Sequence, residues 1–255
     1  MPEALNLVAT GPDDGPPVLA LHGVTGHAQR WRVLTAELPH LRWLAVDLRG
    51  HGHSPWTPPW GIEQHVADLT AVADRLALRR FTLLGHSFGA AIAVHLAHAL
   101  RPRVERLVLL DPAIGLDPQD MLETAEQSRA DESYADLAAA RADRAGRWAG
   151  VADDLVEAEL TAHLVRDGDR WRYRYCRSAV VAAWSEMARP ARVPPAGLPT
   201  LLVPGKQADY VALAWVDACR AALGEHLTVA EVDAGHMVYL ERPAEVAALI
   251  RGFCG

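Results

Sequence analysis

A serine between two glycines, in Gly85-His86-Ser87-Phe88-Gly89, is the residue of this chain best placed to act as a nucleophile. The apolar run Phe81-Thr82-Leu83-Leu84 leads into it, and Ala90-Ala91-Ile92-Ala93-Val94 leads out with no breaker before Pro102. A G-x-S-x-G turn between a strand and a helix holds the serine in a strained backbone conformation and lifts its hydroxyl off the sheet edge, and only small flanking residues let the two limbs pass so closely. A serine hydroxyl is a poor nucleophile at neutral pH. It needs a histidine to take its proton, and the histidine needs a buried carboxylate to fix its tautomer and stabilise the imidazolium. Among the 12 histidines, His236 sits on a loop directly after a terminal strand (residues 227–232) and downstream of acidic residues.

The elements that must position these groups can be read from the apolar pattern. Val18-Leu19-Ala20-Leu21 is a continuous apolar run of the kind found in a central parallel strand, ending at His22-Gly23-Val24-Thr25-Gly26. Further strands are expected at residues 5–9, joined to the next by a turn-rich link as a short opening hairpin, and at 43–46, 104–110 and 199–204. Helical periodicity covers residues 28–38, 62–78 and 243–253, with Val66, Leu69, Val72, Ala73 and Leu76 as the buried stripe of the second. The turn Asp47-Leu48-Arg49-Gly50-His51-Gly52-His53-Ser54 is read as a structural hydrogen-bond set. Two histidines two residues apart raise the question of a metal, but no Cys or carboxylate cluster completes a four-ligand site nearby.

Four motifs, His22-Gly23, the Asp47–Ser54 turn, the serine elbow and Ala234-Gly235-His236, occur in an order and spacing that resemble the α/β-hydrolase superfamily over nearly the whole chain. The resemblance implies an α/β fold with a mostly parallel central sheet flanked by helices. It implies a triad of Ser87, Asp209 and His236, with Asp209 following the strand before the last. The backbone N–H groups of Val24 and Phe88 would form the oxyanion hole. Asp209 comes one residue later than the commonest spacing after Gly205. This leaves Asp111, at the end of the preceding strand, as the alternative acid. His22 is read as a support for its loop, and His27 has no assigned task.

Residues 112–198 are too long for a simple crossover and read as an inserted helical cap, with residues 1–111 and 199–255 forming the core domain. Helices are expected at 118–129, 134–148, 153–165 and 178–188. The cap is rich in arginine (Arg141, Arg144, Arg147, Arg166, Arg170, Arg172, Arg174, Arg177) but carries at least as many Asp and Glu, so it reads as a solvated, salt-laced surface. Trp148, Trp171, Trp184 and Met187 are assigned to pocket or core without distinction, and Trp56 and Trp60 of the proline-rich loop 54–60 to the surface or the pocket wall.

A chain of 255 residues, half of them apolar, can bury one large core, and its formal charge of -7 with no basic stripe argues against a nucleic-acid surface. No secretory signal or membrane-spanning run is expected. The scattered Cys176, Cys219 and Cys254 fit a reduced, cytoplasmic protein with no structural metal. The reaction expected is attack on the carbonyl of a small, neutral or apolar ester or lactone, with no cofactor and no nucleic-acid or membrane partner; a homodimer is left open. The same triad also serves cofactor-free perhydrolases, carbon–carbon bond hydrolases, lyases and aminopeptidases. A non-catalytic small-ligand receptor is the remaining alternative.

Overall fold

The computed structural model describes residues 4–130 and 132–254. In chain order the core supplies β1 (Leu7–Thr10), β2 (Pro17–Leu21), α1 (Arg32–Glu37), β3 (Arg42–Val46), α2 (Ile62–Arg75), β4 (Phe81–His86), α3 (Phe88–Ala99) and β5 (Val104–Leu110). The segment that follows carries α4 (Pro118–Gln127), β6 (Ser133–Tyr134), α5 (Leu137–Arg147), α6 (Asp153–His163), β7 (Leu164–Asp167), β8 (Arg170–Tyr173) and α7 (Arg177–Met187). The core resumes with β9 (Thr200–Val203), α8 (Leu213–Leu223), β10 (Leu227–Val229), α9 (Val238–Glu241) and α10 (Pro243–Cys254).

The seven core strands lie in the order β1-β3-β2-β4-β5-β9-β10, all parallel except β1. The expected opening hairpin does not form. β1 pairs antiparallel with β3, and the turn-rich link carries the chain past β3 to enter β2. Both faces of the sheet are covered, which is why the strands read as unbroken apolar runs. Alternate residues divide between two apolar clusters. Leu19, Leu21, Leu44 and Leu83 pack against α2, α3 and α8, while Val18, Ala20, Trp43, Ala45 and Leu84 pack against α9 and α10. α3 is buried along nearly its whole length, so its small and apolar residues are needed on every face. Among the described residues, no helix is long and apolar enough to cross a membrane.

The four expected helices between β5 and β9 are present with bounds shifted by one to three residues, and the segment also contains a three-stranded antiparallel sheet, β6-β8-β7. The expected helix from 134 starts at Leu137, and the one to 165 stops at His163. The polar–aromatic alternation Arg170-Trp171-Arg172-Tyr173 and the left-handed Gly168 (φ 63°) are the strand and turn signals that helix composition masked.

This segment is held to the core by its backbone and by a buried ion cluster. The Cys176 N–H donates to Gly50 O at 2.7 Å and the Gly52 N–H to Arg174 O at 2.8 Å. Glu159 of α6 receives Arg30 through two hydrogen bonds, at 3.0 and 2.6 Å, and engages His27 Nε2 at 2.8 Å. Burial alone would raise the Glu159 pKa, but the charges of Arg30 and His27 hold it well below the usual carboxylate range. Sequence gives no hint of a contact between residues 129 positions apart. Because removing one partner of a buried ion cluster leaves the others uncompensated, Glu159→Ala is expected to cost about 3–5 kcal/mol. Thermal unfolding followed by circular dichroism should show Tm lower by roughly 10 °C; an unchanged Tm would mean that the cluster contributes nothing net.

Candidate active site

Ser87 sits at the turn from β4 into α3 with φ 54° and ψ −121°, a backbone conformation that a non-glycine residue holds only when its surroundings over-determine it. Those surroundings are visible. The Ser87 N–H donates to Leu110 O at 3.1 Å, and its carbonyl accepts from Ala90, Ala91 and Ala113. A Cβ on Gly89 would stand 2.3 Å from Leu21 O, and one on Gly85 would stand 2.5 Å from Gly89 O. The flanking glycines are therefore demanded by the close passage of strand, helix and the loop after β2.

That loop lies directly against the serine: a Cβ on Gly23 would fall 2.9 Å from Ser87 Cβ and 3.4 Å from its Oγ. His22 and His51 hold it in place. His22 Nε2 accepts from the Leu48 N–H at 2.9 Å, which puts its proton on Nδ1, donated to Gly23 O at 2.8 Å. His51 Nε2 accepts from the Thr25 N–H at 3.3 Å. Burial, reinforced by His51, drives His22 well below its ordinary pKa, and burial lowers His51 to about 4. Both rings are thus neutral braces, while His53 is exposed. Asp47 and Arg49 serve the same framework. Asp47 accepts from the Ala28 and His53 N–H groups, and Arg49 forms a two-pronged pair with buried Asp68.

The acid facing His236 is Asp111, not Asp209. Asp111 Oδ2 lies 2.5 Å from His236 Nδ1, and its Oδ1 accepts the Gly205 N–H at 2.8 Å. The carboxylate is almost fully buried, with 1% of its side chain exposed against 25% for His236. The Asp111 backbone, at φ 39°, turns it in from the end of β5. Asp209 is exposed, because the chain turns after Gly205 through a bond from the Ala208 N–H to Gly205 O. The next residue, Tyr210, stacks on the His236 ring at 4.1 Å and 29°. The segment expected to serve the histidine does meet it, through an aromatic ring in place of a carboxylate. His86 Nε2 binds the His236 carbonyl at 2.9 Å, fixing the same loop from below. With Nδ1 protonated toward Asp111, Nε2 of His236 remains as the basic nitrogen.

Ser87, His236, Gly23, Val24 and Tyr210 line one cavity of about 690 Å³, whose other wall comes from the segment between β5 and β9. Val24 lines this cavity, and Phe88 opens α3, its ring fully buried. Trp56, Trp148 and Trp184 face the cavity, whereas Met187 belongs to the core. Trp171 packs with Tyr134 and Tyr175 against the small cluster of Ala140, Leu160, Leu164 and Tyr173.

The model of the alpha/beta hydrolase family matches residues 18–249. The chain is 41% identical to lipase LipV of Mycobacterium tuberculosis over 98% of each chain, and 27% identical to esterase YbfF of Escherichia coli over 93% of this chain and 92% of that one. Its fold is similar to that of the solved E-2-(acetamidomethylene)succinate hydrolase, with a TM-score of 0.83 at 23% identity over 98% of this chain and 94% of that one.

Two outcomes follow from this geometry. Asp111→Asn keeps the shape but favours the wrong histidine tautomer, so kcat should fall on the order of 10⁴-fold. Asp209→Asn, at the surface, should stay within about twofold. Steady-state kinetics on an aryl ester would reverse the assignment if Asp209→Asn were the crippled variant. The second concerns acid. His51 and His65, lowered chiefly by burial to about 4 and about 3, stay neutral in the fold while the unfolded chain binds protons below pH 6.5. The unfolded state then holds more protons, so stability is lost as pH falls from 6.5 toward 4, by about 1.4 kcal/mol per pH unit for each histidine. Urea midpoints at pH 7 and pH 5 should differ in that direction; equal midpoints would contradict it.

Proposed function

Because the chain belongs to the α/β hydrolase family, we propose that it is a serine hydrolase of the esterase and lipase type that cleaves a small carboxylic ester or lactone through Ser87, His236 and Asp111. The observation that carries this reading is the contact of buried Asp111 with His236, which lines one cavity with Ser87. Relatives named as a lipase and an esterase support ester chemistry over the other reactions that such a triad can serve.

His236 Nε2 takes the Ser87 proton as Oγ attacks the ester carbonyl. The resulting imidazolium is stabilised by Asp111, which the Gly205 N–H keeps oriented. The N–H groups of Val24 and Phe88 receive the developing oxyanion, one from the loop after β2 and one from the first residue of α3. His236 then protonates the leaving alcohol and activates the water that releases the acyl group. Residues 112–198 act as the lid, excluding bulk water and shaping the acyl and alcohol subsites.

Ser87→Ala removes one oxygen from a position where backbone bonds set the geometry, so the variant should fold normally while losing ester turnover by at least about 10⁴-fold. Wild-type protein should be labelled at Ser87 by a fluorophosphonate, with the adduct located by peptide mass. Hydrolysis of p-nitrophenyl acetate at the wild-type rate by folded Ser87→Ala would remove the serine from the mechanism.

A further inference from the structure

The residues lining the cavity carry six arginines (Arg30, Arg144, Arg147, Arg170, Arg172, Arg177) but only two carboxylates, Glu132 and Asp167. Acids outnumber bases in the sequence of residues 112–198, yet bases outnumber acids along the cavity. Three of these arginines pair with carboxylates: Arg30 with Glu159, Arg147 with Glu132 and Asp143, and Arg172 with Asp167; the exposed Arg170 donates to Ser133. Arg144 differs. It is 6% exposed and lies over the rings of Trp148, at 4.9 Å, and Tyr173, at 4.1 Å. Its Nε donates to Tyr173 Oη at 3.1 Å, and no carboxylate among the described residues pairs with it.

A guanidinium so deeply buried keeps its charge, because arginine does not deprotonate in proteins. Aromatic faces compensate part of the desolvation, but they leave the planar N–H fork unpaired with any anion. Trp148 shows the contrast directly: Arg30 stacks on the same ring at 5.1 Å with Glu159 as its partner, whereas Arg144 faces the cavity without one. A fork of this kind fits a carboxylate in two-pronged fashion.

We infer that Arg144 is a specificity-determining residue that binds a carboxylate carried by the substrate, so that the preferred ester is anionic at a point remote from the scissile carbonyl. This replaces the expectation of a neutral or apolar substrate, and it rests on the ester-hydrolase reading of the same site. Glu132 and Asp167 also line the cavity, but each is committed to an arginine and Glu132 further accepts the Tyr175 hydroxyl.

The test compares monoethyl esters of succinic, glutaric and adipic acid with the ethyl esters of the matching half-amides. Acetates of hydroxy acids and hydroxy amides extend the series to the alcohol side. Wild-type kcat/KM should favour the carboxylate member of at least one matched pair by about tenfold or more. Arg144→Gln should lower that ratio at least about tenfold, chiefly through KM, while Arg144→Lys should keep part of it. A wild-type ratio at or below unity in both series would overturn the inference, as would an equal loss on both members of each pair in Arg144→Gln. If that variant does not fold, the wild-type ratio and Arg144→Lys still decide. Hydrolysis of the half-amide esters that depends on Ser87 but is indifferent to the carboxylate would sink this inference alone. Absence of turnover together with absence of fluorophosphonate labelling would sink the hydrolase reading beneath it.

Discussion

The carboxylate of Asp111 is the joint on which the site depends. One oxygen holds the N–H of Gly205 and the other holds Nδ1 of His236, so the end of β5, the tail of β9 and the loop after β10 are fixed relative to one another by two hydrogen bonds. The joint is buried, which raises the cost of leaving either bond unmade and strengthens the electrostatic preference for a protonated Nδ1. The backbone strain at Ser87 is tied to the same place, since the Ser87 N–H is bonded to Leu110, the residue immediately before Asp111. The nucleophile after β4 and the acid after β5 are thus tied together at adjacent strand ends.

The loop opposite the serine is rigid for a different reason. His22 and His51 accept backbone N–H groups through one ring nitrogen each, and burial keeps them uncharged. A charged imidazole could not accept those bonds. Neutrality is therefore a structural requirement at these positions. The same loop also carries Thr25, whose carbonyl accepts from Arg30. Through Arg30 and Glu159 it is connected to α6, so the framework beside the serine and the wall across the cavity share one buried ion cluster.

That wall gives the cavity its electrostatic character. Arginine and aromatic residues meet there in stacked arrangements, Arg30 and Arg144 on Trp148, Arg144 on Tyr173, and Arg172 on Trp56. Such stacking lets a guanidinium lie close to apolar surface at modest cost while its in-plane donors stay available.

The sequence by itself determined the elbow, the loop that carries His236 and the order of the core strands along the chain. These are local facts: the glycines at 85 and 89 and the apolar runs of β2, β4, β5 and β9 are each written in a few neighbouring residues. The tertiary structure decided what depends on distance. Asp111 and Asp209 both follow strands, and no local rule separates them; the turn after Gly205, which exposes Asp209 and sends Tyr210 onto the histidine ring, does so in three dimensions. The composition of residues 112–198 showed at least as many acids as arginines, but which arginines face the cavity follows from how α5 and β8 pack together. Pairings such as Glu159 with Arg30 join residues that only the closed fold brings together, and with them the question of which charge is left unpaired.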